Sequence, residues 1–321
     1  MLYRRLGENM RLHENEDEFR ELAVLTSKDI GIPEAAIIKD YHIVQILENL
    51  ANSIYADQCI FKGGTSLSKC YPGIIERFSE DIDLTFTPHR ELSNKQYDKQ
   101  LKALEQILTT SYSFEKIAEE RNSRNKSSYV FLDERRADRI KLEIGSSVRP
   151  EPYSRKTIKT YIQEFLEKEE QYGALTEYRL KSVPIYALDI ERTFVDKLFA
   201  VKRHALCNGL VKKVRHIYDV NRLLEAPEIR KLINDSRELK RIVRLTKETD
   251  AFYLQKRNLP EAYDPVAAYD FDSWSHCFDS TVKKQYEQLH RSLLYTDDLQ
   301  DFEEAKKAFA FIGKTLQEIG E

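Results

Sequence analysis

The sequence predicts an α+β protein in which a small mixed sheet with helices is followed by a helical domain. Short apolar runs bounded by polar or turn residues, which are typical of strands, occur in the first part of the chain. After Pro184, apolar residues recur at helical spacing with little strand character. A chain of 321 residues has room for about two domains. We therefore expect domains at 1–185 and 186–321.

Each element follows from a local pattern of apolar and turn residues. Residues 1–33 form a charged, helical lead-in, and the apolar residues from Ile37 to Ile54 recur at the period of one long amphipathic helix. The predicted helices after the lead-in are 33–54, 65–71, 92–120, 189–206, 213–225, 228–247, about 271–295 and 299–319. The predicted strands are 57–61, 80–86, 128–132 and 139–144. Polar residues separate the last two strands, so we expect these strands to pair as a hairpin.

Composition and charge exclude several classes of protein. Hydrophobic residues make up 41% of the chain and charged residues 33%, which is typical of a soluble globular protein. No apolar run is long enough to span a membrane, and no secretory signal follows Met1, so we expect a cytoplasmic protein without a membrane partner. The four cysteines lack metal-ligand spacing and are expected to be reduced. Because the net charge is -3, an RNA partner would need a local basic face.

Two aspartates one residue apart indicate a site for metal chemistry. Asp81 and Asp83 lie on the predicted strand 80–86, and side chains alternate along a strand, so both acids point to one face. Two carboxylates on one face suit Mg²⁺, which usually binds through one or two carboxylates plus substrate phosphates. The pair therefore predicts a magnesium site at which a phosphate-bearing substrate also binds.

A turn of glycines and hydroxyl residues precedes the acid strand. The turn consists of Gly63, Gly64, Thr65 and Ser66, near the start of a predicted helix. Glycines let the backbone approach a phosphate closely, and hydroxyls and helix N-terminal N–H groups donate to phosphate oxygens. Together with the acid pair, this turn predicts a site for nucleoside triphosphate chemistry, with an NTP as substrate.

A third carboxylate, Glu143, is a candidate metal ligand if its strand pairs beside the acid strand. Two metal ions can clamp the attacking and leaving oxygens of phosphoryl transfer, and carboxylates on neighbouring strands can hold them. Lys141 shares the face of Glu143 and could instead neutralise it. The structural alternative for the whole face is a solvated surface on which the acids pair with Arg139 or Lys141. The glycine turn upstream favours the functional interpretation.

Two later helices carry polar side chains beside their apolar stripes. Lys197 could reach triphosphate oxygens, but on the residues alone we favour a lysine that extends to water or forms an i,i+4 ion pair. Asp219 lies four residues after Arg215, so an ordinary helix ion pair is the simplest interpretation of it. Basic residues that could form a track for RNA phosphates cluster near 121–136, 202–215 and 230–244.

Five sequence blocks resemble, in order, the AbiEii/AbiGii-type nucleotidyltransferase toxins, also called MenT-like. The blocks are residues 39–43 (KDYHI), 61–67 (FKGGTSL), 77–84 (RFSEDIDL), 191–198 (ERTFVDKL) and 215–220 (RHIYDV). The similarity covers about residues 35–225, and the last hundred residues match only as helical. The resemblance implies a DNA-polymerase-β-like nucleotidyltransferase domain followed by a helical partner domain.

The resemblance also implies a function and roles for individual residues. Members of the family are bacterial toxins of toxin–antitoxin or phage-defence pairs, and those characterised transfer nucleotides from an NTP to a tRNA 3′ end. The implied partners are an NTP, RNA in the form of tRNA, and a cognate antitoxin. The implied site residues are Gly64, Thr65 and Ser66 for the triphosphate, Asp81 and Asp83 for the metal, and Lys197 and Asp219 as later catalytic residues. Asp219 would position the Lys197 ammonium or the attacking hydroxyl.

The chain departs from the family at one position, and two other activities stay open. Where the family often has Arg-Asp before Tyr-Asp, this chain has Arg215 and His216, while Asp219 is intact. The acceptor could be a protein or a small molecule, as in antibiotic-modifying relatives of the same fold. A non-catalytic toxin that binds nucleotide or RNA is the third possibility. The substitution Asp83→Ala discriminates, because it removes transfer and growth inhibition only if the toxin is an enzyme.

Overall fold

The computed structural model describes residues 10–146, 149–254, 263–292, 294–296 and 298–321. The first nine residues of the predicted lead-in lie outside this part, as does residue 293 of the predicted helix 271–295. The strands are β1 (Cys59–Lys62), β2 (Asp81–Phe86), β3 (Phe114–Lys116), β4 (Asn125–Phe131), β5 (Arg139–Gly145), β6 (Tyr153–Ile158) and β7 (Val183–Leu188). The helices of the first part are α1 (Glu16–Ile30), α2 (Glu34–Ala51), α3 (Gly63–Cys70), α4 (Asn94–Leu108), α5 (Tyr161–Lys168) and α6 (Tyr172–Glu177). The later helices are α7 (Ile190–Leu206), α8 (Val214–Leu224), α9 (Pro227–Asn234), α10 (Ser236–Leu254), α11 (Phe271–Trp274), α12 (Ser280–Ser292) and α13 (Phe302–Glu318).

The predicted α+β fold is confirmed, with one mixed sheet in the order β3-β4-β5-β2-β1-β7-β6. The predicted hairpin is β4 paired antiparallel with β5. The acid strand β2 pairs antiparallel with β1 and parallel with β5. It therefore lies at the centre of the sheet, next to the strand that ends in the glycine turn.

One face of the acid strand supports the core. Ile82, Leu84 and Phe86 are buried in a cluster with apolar residues of α2 and α4. Each apolar residue removed from water stabilises the fold by about 1.5–3 kcal/mol, so the register of β2 is fixed by this face. The intervening Asp81 and Asp83 are consequently held on the opposite face.

The sheet is larger than predicted, because three of its strands carry weak patterns. The helix predicted at 92–120 ends at Leu108. The prediction of helix is wrong for the residues that follow, where β3 pairs with β4. Strand β6 alternates exposed polar residues with partly buried ones, so it lacks an apolar run. Strand β7 contains Pro184 near its start and spans the predicted domain boundary after residue 185.

The later part is helical, as predicted, and its first helix starts beside the sheet. Helix α7 begins at Ile190, two residues after β7 ends, and β7 pairs with β1. The helix predicted at 228–247 is two helices, α9 and α10, which separate at Asp235. The helical core also includes Leu67 of α3, which ties the glycine-turn helix to the later part. None of the described helices is long and apolar enough to cross a membrane.

Candidate active site

The glycine turn packs directly against the acid strand. Gly63 has a φ of +87°, and a Cβ atom built on it would lie 2.4 Å from Oδ2 of Asp83. A Cβ atom on Gly64 would lie 2.5 Å from Nη2 of Arg77 and 2.8 Å from Oγ of Ser79. Side chains therefore cannot occupy either position without displacing a functional group. The absence of side chains leaves the first backbone N–H groups of α3 next to the acid pair.

The two hydroxyl residues of the turn point in different directions. Thr65 Oγ1 lies 3.0 Å from Ser79 Oγ, so the first turn of α3 is hydrogen-bonded to the loop before the acid strand. The Ser66 side chain is buried, since the residue is 1% exposed. Thr65 thus lies at the junction of the two predicted motifs, whereas the side chain of Ser66 faces the interior.

The acid pair lies on one face of β2, as the alternation predicts. Asp83 is opposite Lys62 on one neighbouring strand and opposite Glu143 on the other. Burial raises the pKa of Asp81 above its ordinary value, and the negative charge of Asp83 adds to this effect, while Arg215 opposes it. Two carboxylates that repel each other are an arrangement that a divalent cation stabilises.

Glu143 is beside the acid pair and is ion-paired in this structure. Its partner is Lys141, which also contacts Glu120 at 2.8 Å. Burial lowers the pKa of Lys141, but the hydrogen bonds to Glu120 and Glu143 outweigh burial and raise it above its ordinary value. The ion pair with Lys141 is the alternative that the sequence left open. A role for Glu143 as a metal ligand stays a prediction and would require this pair to open.

The donor set fits a metal held mainly by two carboxylates. Within the described ranges, no three His, Cys, Asp or Glu side chains are grouped closely enough to hold a metal ion by themselves. Mg²⁺ commonly takes one or two protein carboxylates and completes its shell with water and substrate phosphates. Asp81 and Asp83 match that requirement, and the turn at Gly63 packs directly beside Asp83.

A buried ion-paired network brings residues of the helical part to the site. Asp219 on α8 accepts hydrogen bonds from Arg77 Nε at 2.6 Å and Arg77 Nη2 at 2.8 Å, and from Lys197 Nζ at 2.6 Å. All three side chains are buried. Two cations share one carboxylate, so the network carries an excess positive charge beside Gly64, which Arg77 contacts. This excess charge suits an anionic substrate group.

The pKa shifts follow from this shared burial. Burial alone would raise the pKa of Asp219, but Arg77 and Lys197 outweigh burial and hold it below its ordinary value. Burial lowers the pKa of Lys197, although Asp219 and, more weakly, Asp83 favour its charged form. The effect of Asp83 shows that Lys197, on α7, lies within electrostatic reach of the acid strand.

A cavity of about 820 Å³ is lined by Asp83 but not by Asp81, the glycine turn, Lys197 or Asp219. One wall is formed by the sheet and includes Lys62, Asp83 and Glu143. The opposite wall is formed by α7 and α10 and includes Arg203 and Thr246. The cavity is large enough for a nucleotide, and its two walls come from the two halves of the chain.

The profile of one protein family matches most of the chain. The family is described as nucleotidyl transferase AbiEii toxin of type IV toxin–antitoxin systems, and the match covers residues 45–308. This chain belongs to the AbiEii family. This chain is therefore a nucleotidyltransferase toxin of the type IV class.

A solved structure resembles this chain over most of its length. It is MenT4, a nucleotidyltransferase toxin from Mycobacterium tuberculosis H37Rv, with 19% sequence identity and a TM-score of 0.48. The alignment covers 91% of this chain and 98% of that chain. No curated protein matches the sequence significantly.

The structure brings most of the predicted site residues of this AbiEii protein together, and two simple interpretations of them are wrong. Lys197 neither extends to water nor forms an i,i+4 pair, since it is buried against Asp219. The carboxylate of Asp219 pairs with Arg77 and Lys197, whereas Arg215 lies near Asp81.

Sequence reasoning assigned no role to Arg77 or Ser79. Both lie in the block RFSEDIDL directly before the acid strand, and both would contact a side chain placed at Gly64. Their position in a block that resembles the family was the signal that could have marked them as site residues. The ion pair of Arg77 with Asp219 spans 142 residues, so local spacing could not reveal it.

Proposed function

We propose that this toxin transfers a nucleoside monophosphate from an NTP to RNA, with a tRNA 3′ end as acceptor, in a Mg²⁺-dependent reaction. The observation that carries the proposal is the contact between the glycine turn and the acid strand, where Gly63 leaves no room for a Cβ atom beside Asp83. Backbone N–H groups that donate to phosphate and carboxylates that hold a metal are thereby adjacent. That combination is what nucleotidyl transfer requires.

Each predicted residue has a role in this proposal. Asp81 and Asp83 would hold Mg²⁺, with Glu143 as a third ligand once it leaves Lys141, and the metal would supply charge neutralisation at the triphosphate. The backbone N–H groups of Gly63, Gly64, Thr65 and Ser66, at the start of α3, would bind the triphosphate oxygens. Lys197 would stabilise the charge that develops on those oxygens. Asp219, at 2.6 Å from Lys197, would hold that ammonium in place.

An RNA acceptor is supported by a basic segment next to the acid strand. Many basic residues of the chain are neutralised internally, such as Arg121 by Glu105 and Arg203 by Asp250. By contrast, Lys212, Lys213 and Arg215 form no ion pair with any residue in the described part. Arg215 acts on Asp81 electrostatically, so this segment lies near the acid pair and could bind RNA phosphates.

Transfer of a labelled nucleotide tests the proposal. The protein is incubated with Mg²⁺, total RNA and each of the four α-labelled NTPs in turn, and products are separated with and without RNase. We expect label in the tRNA fraction and its loss on RNase treatment. The Asp83→Ala variant should transfer nothing, whereas Asp17→Ala, an exposed acid on α1, should behave as the unmodified protein.

The other outcomes identify which part of the proposal fails. Label that stays on protein or on a small molecule after RNase treatment would replace RNA by that acceptor class. Absence of transfer with all four NTPs would contradict the enzymatic proposal. Growth inhibition that persists in Asp83→Ala would favour a toxin that acts by binding, and an antitoxin partner would then act on binding rather than on catalysis.

A further inference from the structure

Two consecutive residues of helix α2 contact the two segments that carry the acid pair and the glycine turn. Lys39 and Asp40 contribute nothing to the acid pair, the glycine turn or the cavity. Lys39 instead reaches the loop before the acid strand, and Asp40 reaches the helix that begins at the glycine turn. Consecutive residues on a helix point in directions about 100° apart, so one helical turn can hold two separate segments.

The contact of Asp40 immobilises helix α3. Asp40 Oδ1 lies 2.7 Å from Nζ of Lys69, in the last turn of α3, and both side chains are buried. Asp40 Oδ2 also accepts a hydrogen bond of 2.8 Å from the backbone N–H of Tyr161. The Lys69 ammonium lies 4.0 Å from the centre of the Tyr161 ring. Because both charged groups of this buried ion pair have further partners, helix α3 has few alternative positions.

The contact of Lys39 immobilises the entry to the acid strand. Its ammonium forms an ion pair with Glu80, the residue immediately before Asp81. The same ammonium lies 5.6 Å from the centre of the Phe78 ring. The Lys39 side chain is 16% exposed and that of Glu80 is 42% exposed, so the lysine, but not the glutamate, is largely shielded from water.

A third contact closes a triangle between the three segments. The hydroxyls of Thr65 and Ser79 join the first turn of α3 to the loop before the acid strand. A cavity of about 20 Å³ lies between the segments, and Asp40, Lys69 and Phe78 are among the residues that line it. That volume holds about one water molecule, so the three segments are closely packed against one another.

We propose that Lys39 and Asp40 are positioning residues that set the distance between the glycine turn and the acid pair. Neither residue would touch substrate; each acts through the segment that it holds. Transfer reactions depend on such placement, because a shift of about 1 Å can slow catalysis by about 10²-fold. The kinetic part of this inference rests on the proposed transfer reaction.

Charge reversal and its repair test the role of Lys39. The variants are Lys39→Glu, Glu80→Lys and the double variant that exchanges the two charges. We expect each single variant to lower kcat by about 10-fold or more, with little change in KM for NTP, and the double variant to recover to within about threefold. The matched control is Lys283→Glu, which breaks an ion pair with Glu303 between α12 and α13 and should leave kcat unchanged.

Amide hydrogen exchange separates this inference from the proposed function. In Lys39→Glu we expect faster exchange in residues 77–83, and in Asp40→Asn faster exchange in residues 63–70, with other core segments unchanged. These measurements need no substrate, so a protein that transfers nothing would refute the proposed function without deciding this inference. Unchanged exchange in both segments, or failure of the double variant to restore exchange at 77–83, would overturn the positioning role.

Discussion

Replacement of Asp219 by Asn should destabilise the protein strongly, because it removes the carboxylate that two buried cations share. Asp219 accepts three hydrogen bonds from Arg77 and Lys197, all at 2.6–2.8 Å, and the three side chains are buried. Removal of one partner from a buried ion pair typically costs about 3–5 kcal/mol, since the remaining charge is left without compensation. Here two cations would be left, so we expect Asp219→Asn to lie at the upper end of that range.

Replacement of Lys197 by Met should lower transfer strongly but stability only slightly. Met fills a similar volume, and Arg77 and Asp219 stay as a balanced pair with two hydrogen bonds. We expect a loss of at most about 2 kcal/mol in unfolding free energy, because a desolvated charge is removed together with its partner interaction. Transfer should nevertheless fall by about 10²-fold or more, because the charge that acts on the triphosphate is gone.

Urea unfolding and the transfer assay measure the two effects on the same samples. We expect Asp219→Asn to lose stability and activity, and Lys197→Met to lose activity with a much smaller change in the unfolding midpoint. Equal destabilisation by the two substitutions would refute the charge argument. Retention of transfer by Lys197→Met would refute the catalytic role of the lysine.

The pH dependence of Asp219→Asn gives an independent check of the same network. The pKa of Asp219 is lowered in the folded protein, so its carboxylate contributes stability at pH values above its unfolded pKa of about 4. That contribution disappears as the pH falls toward the lower folded value. The difference in stability between the unmodified protein and Asp219→Asn should therefore be greatest near neutral pH and shrink below about pH 4.

Three further substitutions test the glycine turn and the acids. Gly63→Ala should lower stability, measured by urea unfolding, by about 2 kcal/mol more than Gly73→Ala, since both glycines have positive φ but only Gly63 faces a side-chain oxygen. Asp83→Ala should abolish growth inhibition when expressed in cells, and persistence of toxicity would argue against catalysis. Glu143→Gln should weaken Mn²⁺ affinity by about tenfold in titrations with NTP present, and unchanged affinity would exclude Glu143 as a ligand.

The acid strand and the glycine turn could be predicted because their signals are local. Alternation placed Asp81 and Asp83 on one face, and burial of Ile82 and Leu84 on the other face confirms this. The glycines were recognisable because a close approach of backbone to another group requires them, although the group beside Gly63 was not predictable.

The buried network could not be predicted from spacing, because its partners are distant in sequence. Arg77, Lys197 and Asp219 meet only when α7 and α8 pack against the loop before the acid strand. Local reasoning instead favoured an ordinary helix pair for Asp219, and the resemblance to a family was needed to raise Lys197 and Asp219 to candidates.

The missed strands have a similar explanation. Strand β6 is at one edge of the sheet and β3 at the other, where exposed polar residues replace the apolar run that marks a central strand. Strand β7 pairs with β1, but helices α3 to α6 and strands β2 to β6 lie between the two in the sequence. Pairing partners so far apart leave no pattern in the local sequence.

A diffraction experiment with Mn²⁺ and a non-hydrolysable NTP analogue tests the central claim most directly. The anomalous signal of Mn²⁺ should lie between the carboxylates of Asp81 and Asp83, with the triphosphate against the backbone N–H groups that follow Gly63. A metal bound elsewhere, or a triphosphate that does not contact the glycine turn, would contradict the account.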